Sequence, residues 1–284
     1  MKIKNKHNTS LISPNVTENV NKLYDAYLLD LDGTVLLGNS LITGAEKTIR
    51  LLKSYNKRVI FISNNTTSNV ASYAKKLTSL GIPTINEDVI NPSMVLINFL
   101  NKNVPQGRLL VIGETALCSE LEKSGYDVTT NESNVDAVIV SFDRDFQYQK
   151  LQAAFDAIRN GARFFATNGD NYRPLKNGGQ PDAGAIIAAI EACTGKSCEI
   201  NVGKPSHHTI EYLNSRVLQS NVECIIVGDR PETDIQMGIN SSIDTALVLT
   251  GVTNKNNILN TKIKPTYVIQ SILSLIPGEL INDL

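Results

Sequence analysis

Two carboxylates, Asp30 and Asp32, stand at the end of an apolar run and are followed at once by Gly33 and Thr34. This pattern is typical of a buried strand that breaks into a polar turn, and open α/β sheets bind ligands at that end of their strands. Side chains two positions apart share one face of a strand, so both acids can address one spot. Two carboxylates this close repel each other unless a cation or a shared proton lies between them. The stretch therefore predicts a cation site.

Three more polar clusters stand at the borders of predicted elements. Two of them directly follow apolar runs and one precedes a predicted helix: Ser63-Asn64-Asn65, Asp229 with Asp234, and Gly203-Lys204-Pro205. Parallel strands place their carboxyl ends at one edge of a sheet, so clusters that are distant in sequence can converge there. Ligands that offer only oxygen favour Mg²⁺ over zinc or copper. A lysine beside Mg²⁺ and amide or hydroxyl donors forms an anion clamp, and phosphate is the anion that suits it best.

Strand and helix patterns alternate along the chain. Strands are predicted over 26–31, 58–62, 109–112, 137–140, 163–166, 224–227, 246–249 and 267–269. Helices are predicted over 45–55, 70–80, 92–100, 117–124, 148–160, 183–194, 206–218 and 271–276, with a short one ending near 239. This alternation predicts parallel strands joined by right-handed crossovers, that is, an α/β fold with a doubly wound parallel sheet.

The spacing of the clusters indicates where a second, smaller α/β domain is inserted. Ser63 follows Asp30 by 33 positions, enough for a loop, a helix and a strand, whereas Lys204 follows Ser63 by 141 positions. We therefore expect a flexible extension over 1–22, a core domain over 23–103 and 183–284, and an inserted domain over 104–182. The run 177–181, rich in glycine and proline, is interpreted as a hinge or a domain edge.

The four clusters together resemble the motifs of the haloacid dehalogenase superfamily. In chain order these are Asp30-Leu31-Asp32-Gly33-Thr34, Ser63-Asn64-Asn65, Gly203-Lys204-Pro205 and Gly228-Asp229-Arg230 with Thr233-Asp234. The resemblance covers about residues 24–275. Within the superfamily, the motifs most resemble the NagD and p-nitrophenylphosphatase-like branch, whose members have an α/β cap. The segment Thr167-Asn168-Gly169-Asp170 in the insertion resembles a signature of that branch. The resemblance implies a phosphatase that acts on small phosphorylated metabolites such as sugar phosphates.

The resemblance also implies a role for each residue. Asp30 would attack phosphorus and form an aspartyl-phosphate, which splits one difficult step into two. Asp32 would protonate the leaving alcohol and then deprotonate the attacking water. Phosphate oxygens would be held by Ser63, Asn64, Asn65 and Lys204.

The implied metal is Mg²⁺. Its ligands would be the carboxylates of Asp30 and Asp229 and the main-chain carbonyl of Asp32, and Asp234 would brace that set. The implied cap covers the site and contacts the leaving group. Arg173 falls where a related phosphatase places a histidine against its substrate, which implies a more polar or acidic leaving group than pyridoxal. The branch often dimerises through its caps, so a homodimer is expected.

Composition excludes several other classes of function. The net charge of −1 and the lack of an extended basic run give no support for nucleic-acid binding. No run of about twenty apolar residues indicates a membrane span, and residues 1–19 lack the apolar core of a signal peptide. Four scattered cysteines are interpreted as reduced thiols, so a cytoplasmic location is expected.

Competing interpretations of the motifs were weighed against the residues. An EF-hand would need glycine at Val35, and a P-loop ending at Gly195-Lys196-Ser197 would need glycine at Ile190. A nucleotidase with the same core chemistry stays open, because the cap sets the substrate. A receiver-type signalling domain, which also has an aspartate at a strand end, would not need Asp32 or an inserted domain.

Overall fold

The protein's structure, a computed structural model, describes residues 17, 19–175, 178–216, 222–254, 258 and 262–283. Its strands, in chain order, are β1 (Ala26–Asp30), β2 (Leu36–Leu37), β3 (Ser40–Leu41), β4 (Arg58–Ile62), β5 (Val89–Ile90), β6 (Arg108–Ile112), β7 (Asp127–Thr129), β8 (Ala137–Val140), β9 (Arg163–Ala166), β10 (Tyr172–Leu175), β11 (Gly178–Pro181), β12 (Ile200–Asn201), β13 (Cys224–Gly228), β14 (Asp244–Val248) and β15 (Tyr267–Ile269). Its α-helices are α1 (Ala45–Ser54), α2 (Val70–Ser79), α3 (Pro92–Asn103), α4 (Thr115–Lys123), α5 (Tyr148–Arg159), α6 (Ala183–Thr194), α7 (His207–Arg216) and α8 (Gln236–Ser241). Within the described ranges, no helix is long and apolar enough to cross a membrane.

The first sheet brings the predicted clusters to one edge. Its six strands are all parallel, in the order β15-β14-β13-β1-β4-β5. The central strand β1 is buried along its whole length, as its continuous apolar sequence predicts for a strand covered on both faces. Asp30 is paired with Ile62 of β4, and Leu29 is paired with Val227 of β13. The loops after these three strands therefore start side by side.

The second sheet is also parallel, in the order β12-β9-β8-β6-β7, and it forms the inserted layer. It extends beyond the predicted boundary at 182. Helix α6 buries Ile186 and Ile190 against Val138 and Phe164 of this sheet, and β12 pairs with β9. The second part of the first layer therefore resumes only after Asn201, because α6 buries its apolar face against the second sheet.

A hairpin of β10 and β11 includes residues 178–181, part of the run that was interpreted as a hinge or a domain edge. The two strands pair antiparallel, with Tyr172 opposite Pro181 and Arg173 opposite Gln180. Gly179 lies so close to the Tyr172 ring that an added Cβ would meet the ring. Gly179 therefore allows a close cross-strand contact, and the interpretation of the run 177–181 as a hinge stays a prediction.

The predicted N-terminal extension is shorter than expected. Val20 is buried in the first core cluster, and its N–H donates to the Ser274 carbonyl at 2.9 Å. Thr17 donates to the carbonyl of Val268 with both its N–H and its hydroxyl. The rest of the predicted extension, 1–16 and 18, lies outside the described residues.

One apolar cluster joins the two sheets through α3 and α7. It runs from Leu28 in the first sheet, through Phe99 on α3 and Leu213 on α7, to Ile139 and Phe165 in the second sheet. The Phe99 and Phe165 rings meet edge to face, with centroids 5.2 Å apart. Because this layer is continuous, the hairpin of the inserted layer is held over the edge of the first sheet where β1, β4 and β13 end.

Candidate active site

Asp30, the last residue of β1, is buried and faces a lysine from a distant loop. Lys204 Nζ donates to Asp30 Oδ1 and to Asp234 Oδ1, each at 2.6 Å. The lysine is 3% exposed, and its Nζ also donates to the Ile62 carbonyl at 3.4 Å. Burial opposes its charge, but Asp234 and Asp30 raise the pKa of Lys204 above its ordinary value. The lysine is therefore a fixed cation between two carboxylates.

Asn64 holds the backbone of Lys204 from both sides. Asn64 Oδ1 accepts from the Lys204 N–H at 2.8 Å, and Asn64 Nδ2 donates to the Lys204 carbonyl at 3.3 Å. The Asn64 carbonyl in turn accepts from Asn168 Nδ2 of the second layer at 3.0 Å. The Asn64 side chain thus positions Lys204. The phosphate role predicted for Asn64 would therefore fall to the backbone N–H of Asn64.

Three buried carboxylates form the group in which a cation fits. Asp30, Asp229 and Asp234 each offer an oxygen, and these oxygens lie within 4.8 Å of one another. Burial, and the negative charge of Asp234, raise the pKa of Asp229 to about 7. Burial likewise raises the pKa of Asp30 well above its ordinary value, although Lys204 opposes the rise. Three buried acids face one ammonium, and the raised pKa values of Asp30 and Asp229 reflect the cost of ionising them there without a further cation.

The glycines around this group give it space. An added Cβ at Gly33 or Gly251 would overlap the Asp229 carboxylate, and one at Gly228 would overlap Asp234. Gly33 also has a φ of 101°, a conformation that side chains disfavour. The local sequence therefore determines how closely the carboxylates approach the turn after β1.

The residues present fit Mg²⁺. Asp30 Oδ2 is buried and has no hydrogen-bond partner among the described residues. A buried carboxylate oxygen without a donor is costly unless a cation faces it. The donors of the group are oxygens only, which is the set that Mg²⁺ prefers.

Asp32 is placed apart from this group. Its carboxylate is about one quarter exposed, and it accepts from Arg173 Nη2 at 3.3 Å and from Asn65 Nδ2 at 3.4 Å. The structure therefore does not bring the Asp32 side chain to the other three acids, and the role predicted for its main-chain carbonyl stays a prediction. Arg173, on the hairpin of the second layer, contacts the Asp32 carboxylate, and the substrate role predicted for Arg173 stays a prediction.

The turn after β4 carries the remaining predicted residues. Ser63 Oγ accepts from the Asn65 N–H at 3.1 Å, and Asn65 Oδ1 accepts from the Thr67 N–H at 2.9 Å. These bonds keep the turn tight, and the Asn65 amide donates to Asp32 Oδ2 at 3.4 Å. Ser63, Asn64 and Asn65 all line one cavity with Asp30, Asp32, Asp229, Asp234, Lys204 and Arg173.

The site also contains residues to which the sequence assigned no role. Asp170, whose side chain is 13% exposed, lies between Asn64 Nδ2, at 3.4 Å, and Arg230 Nη1, at 3.8 Å. Arg230 also donates to the Tyr172 carbonyl at 2.8 Å. Asp182 lines the same cavity. The sequence already marked both residues as candidates, since Asp170 ends the Thr-Asn-Gly-Asp segment and Arg230 directly follows Asp229. Only the packing of the two layers shows that they contact each other.

The sequence is similar to two family models and to several curated proteins. Residues 27–127 match the haloacid dehalogenase-like hydrolase family, and residues 201–275 match the HAD-hydrolase-like family. The chain is 37% identical to the 5'-nucleotidase YutF of Bacillus subtilis, with 90% of this chain and 99% of that protein covered. It is 36% identical to the sugar-phosphatase AraL of the same organism, with 86% and 89% covered.

Solved structures of phosphatases also superpose on this protein. The 4-nitrophenylphosphatase of Thermotoga maritima superposes with a TM-score of 0.82 at 31% identity, and the match covers 91% of this chain and 97% of that one. NagD from Escherichia coli superposes with a TM-score of 0.77 at 29% identity, with 88% and 98% covered. The α/β architecture and the family predicted from the motifs are thereby confirmed. The chain belongs to the haloacid dehalogenase-like hydrolases, in the branch that includes NagD and the p-nitrophenylphosphatases.

Proposed function

We propose that this protein is a Mg²⁺-dependent phosphatase that hydrolyses the phosphate monoesters of small metabolites through an aspartyl-phosphate at Asp30. The observation that carries the proposal is the pairing of a buried nucleophile with a fixed cation, Lys204, at 2.6 Å. The relatives named as a nucleotidase and a sugar-phosphatase support a phosphomonoester substrate. Membership of a hydrolase family argues against the receiver-type alternative.

The first step is the attack of an Asp30 carboxylate oxygen on phosphorus. The new oxygen–phosphorus bond forms as the bond from phosphorus to the alcohol oxygen breaks, and Asp32 gives that oxygen a proton. In the second step Asp32 takes a proton from water, the water oxygen attacks phosphorus, and Asp30 is released with inorganic phosphate. Ser63 and Asn65 donate hydrogen bonds to phosphate oxygens throughout.

Charge is the main obstacle to the first step, since a carboxylate must approach a dianion. Lys204 offsets part of that charge, and it needs no reorganisation because Asn64 and Asp234 already hold it. Mg²⁺, held by Asp30, Asp229 and the main-chain carbonyl of Asp32 with Asp234 beside them, would supply the remaining positive charge. The burial of these groups strengthens every such interaction.

Turnover of p-nitrophenyl phosphate by the full chain tests the proposal. Phosphate release should require Mg²⁺, stop with EDTA, and fall by several orders of magnitude in Asp30→Asn. Asp127→Asn is the matched control, because the Asp127 side chain is 65% exposed and remote from the site. Activity that survives EDTA or Asp30→Asn would overturn the proposed mechanism.

A further inference from the structure

Arg230, which directly follows Asp229, connects the first layer to the β10–β11 hairpin of the second. Its Nη2 donates to the Tyr172 carbonyl at 2.8 Å, and its Nη1 lies 3.8 Å from Asp170 Oδ1. The guanidinium also lies 5.7 Å from the centre of the Tyr172 ring. Burial lowers the pKa of Arg230, whereas the acids around it raise that pKa, Asp170 most strongly. The side chain is therefore held by the second layer more than by the carboxylate beside it.

The Tyr172 carbonyl belongs to the same peptide unit as the Arg173 N–H. Because that unit is planar, a donor that fixes the carbonyl also fixes the backbone from which the Arg173 side chain extends. Pro181 lies opposite Tyr172 in the hairpin and has no N–H to offer this carbonyl. Arg230 supplies the donor from the first layer instead. The start of β10 is thereby fixed by a residue outside the hairpin.

Arg173 in turn extends back to the first layer. Its Nη2 donates to Asp32 Oδ1 at 3.3 Å, and Asn65 Nδ2 donates to Asp32 Oδ2 at 3.4 Å. The two oxygens of Asp32 thus face two different donors, and these contacts determine how the carboxylate is oriented. One of the two donors lies on the hairpin that Arg230 holds. A chain of contacts therefore runs from Arg230 through Tyr172 and Arg173 to Asp32.

We infer that Arg230 is a positioning residue for proton transfer: it fixes the hairpin, and the hairpin fixes the orientation of the Asp32 carboxylate through Arg173. The inference rests on the proposed phosphatase function, in which Asp32 protonates the leaving alcohol. Arg230 itself exchanges no proton. Misplacing a catalytic group by about 1 Å can lower a rate by about a hundredfold. A contact to the residue before Arg173 is therefore sufficient to affect the reaction.

The acidity of the leaving alcohol separates this role from a general one. Phenol is a weaker acid than p-nitrophenol, so phenyl phosphate needs the proton from Asp32 more than p-nitrophenyl phosphate does. The ratio of their kcat/KM values cancels effects that both esters share, such as weaker binding of phosphate or Mg²⁺. In Arg230→Met we expect the ratio of phenyl to p-nitrophenyl phosphate to fall by about tenfold or more. Arg230→Lys, which keeps the charge and a donor, should restore part of the ratio.

A double-mutant cycle tests whether the effect passes through Arg173. Arg173→Ala should itself lower the ratio, and Arg230→Met should lower it no further in a protein that already carries Arg173→Ala. Hydrogen exchange of the peptide that contains residues 172–175 gives a readout that does not depend on activity. Its amides should exchange faster in Arg230→Met than in wild type, because the hairpin has lost its contact with the first layer.

Arg163→Met is the matched control. Arg163, on β9, also pairs with an acid, Glu199 at 3.0 Å, and lies 4.6 Å over the ring of Phe165, but it is outside the catalytic cavity. This variant should change neither the ratio nor the exchange of the hairpin.

Three results would overturn the inference: an equal loss for both esters in Arg230→Met, a further loss of the ratio in the Arg173→Ala background, or unchanged exchange of the hairpin. A wild-type protein that hydrolyses neither ester, or a ratio that Asp32→Asn leaves unchanged, would instead show that the proposed function has failed.

Discussion

The Lys204 ammonium donates a hydrogen bond of 2.6 Å to Asp30, which lies 174 positions earlier in the chain. The two residues meet because β1 and the loop before α7 end at the same edge of the first sheet, and because Asn64 holds the lysine backbone. We therefore expect the charge of Lys204 to affect both the stability of the protein and the rate of hydrolysis.

Replacement of Lys204 by methionine should damage both properties. The variant keeps the length of the side chain but leaves Asp30 and Asp234 buried without their cation. Breaking a buried pair in this way costs about 3–5 kcal/mol, and kcat/KM should fall by more than about a hundredfold. Thermal unfolding and steady-state kinetics check the two effects. Lys196→Met, at an exposed position, is the control; equal behaviour of the two variants would show that the buried contact is unimportant.

Magnesium should stabilise the folded protein as well as support turnover. An ion that binds only the folded state at a hundred times its Kd adds about 2.7 kcal/mol, or about 5 °C in Tm for a chain of this size. The rise should be lost in Asp229→Asn, which removes one of the three grouped carboxylates. Differential scanning calorimetry with MgCl₂, against NaCl at equal ionic strength, measures it. The same rise in wild type and variant would place the ion elsewhere.

Loss of the Arg173 guanidinium should change which substrates are hydrolysed. Arg173 borders both the catalytic cavity and an adjoining cavity of about 580 Å³, and it contacts Asp32 there. In Arg173→Ala we expect the ranking of kcat/KM to change across a panel of sugar phosphates, nucleotides and vitamin phosphates. A uniform change for all substrates would show that Arg173 has no part in selection. Arg159→Ala, at an exposed position of α5, is the control.

Asp182 should make the stability of the protein depend on pH. Burial raises the pKa of Asp182 to about 6, assisted by the charge of nearby Asp170 and opposed first by the hydrogen bond from the Ala183 N–H and then by Asn168 and Arg230. The folded state therefore binds the proton more tightly than the unfolded chain, so this residue's contribution to stability falls as pH rises from about 4 to about 6.

Asp182→Asn should remove that loss without removing the helix cap. Asp182 accepts from the Ala183 N–H at 2.6 Å at the start of α6, and asparagine caps equally well. We expect the variant to be more stable than wild type by about 1–3 kcal/mol at pH 8 and nearly equal at pH 4. Tm values at both pH values check this; a difference that is independent of pH would contradict the assignment.

Local patterns were sufficient to predict strands of both layers and the carboxylates at the edge of the first. The strands 58–62, 137–140, 163–166 and 267–269 were predicted with the bounds that the structure shows. Continuous apolar runs indicate buried parallel strands, and the polar residues that follow such runs must lie at the ligand-binding edge. The positions of Asp30, Asn64 and Asp229 could therefore be inferred without coordinates.

Pairing between distant residues could not be inferred in the same way. The β10–β11 hairpin depends on contacts such as the fit of Tyr172 beside Gly179, and glycine in a short polar run is equally typical of a hinge. The membership of α6 in the second layer depends on where Ile186 and Ile190 are buried. The contact of Asp32 with Arg173 joins residues of two layers that are 141 positions apart in the chain.

The aspartyl-phosphate is the central claim, and acid-quenched mass spectrometry of the peptide that contains Asp30 tests it most directly. The reaction uses p-nitrophenyl phosphate, Mg²⁺ and Asp32→Asn, because a good leaving group needs little protonation while loss of the base slows attack by water. The account predicts one phosphoryl group on Asp30, and none in the Asp30→Asn, Asp32→Asn double variant. A phosphoryl group on another residue, or turnover that persists in Asp30→Asn, would contradict it.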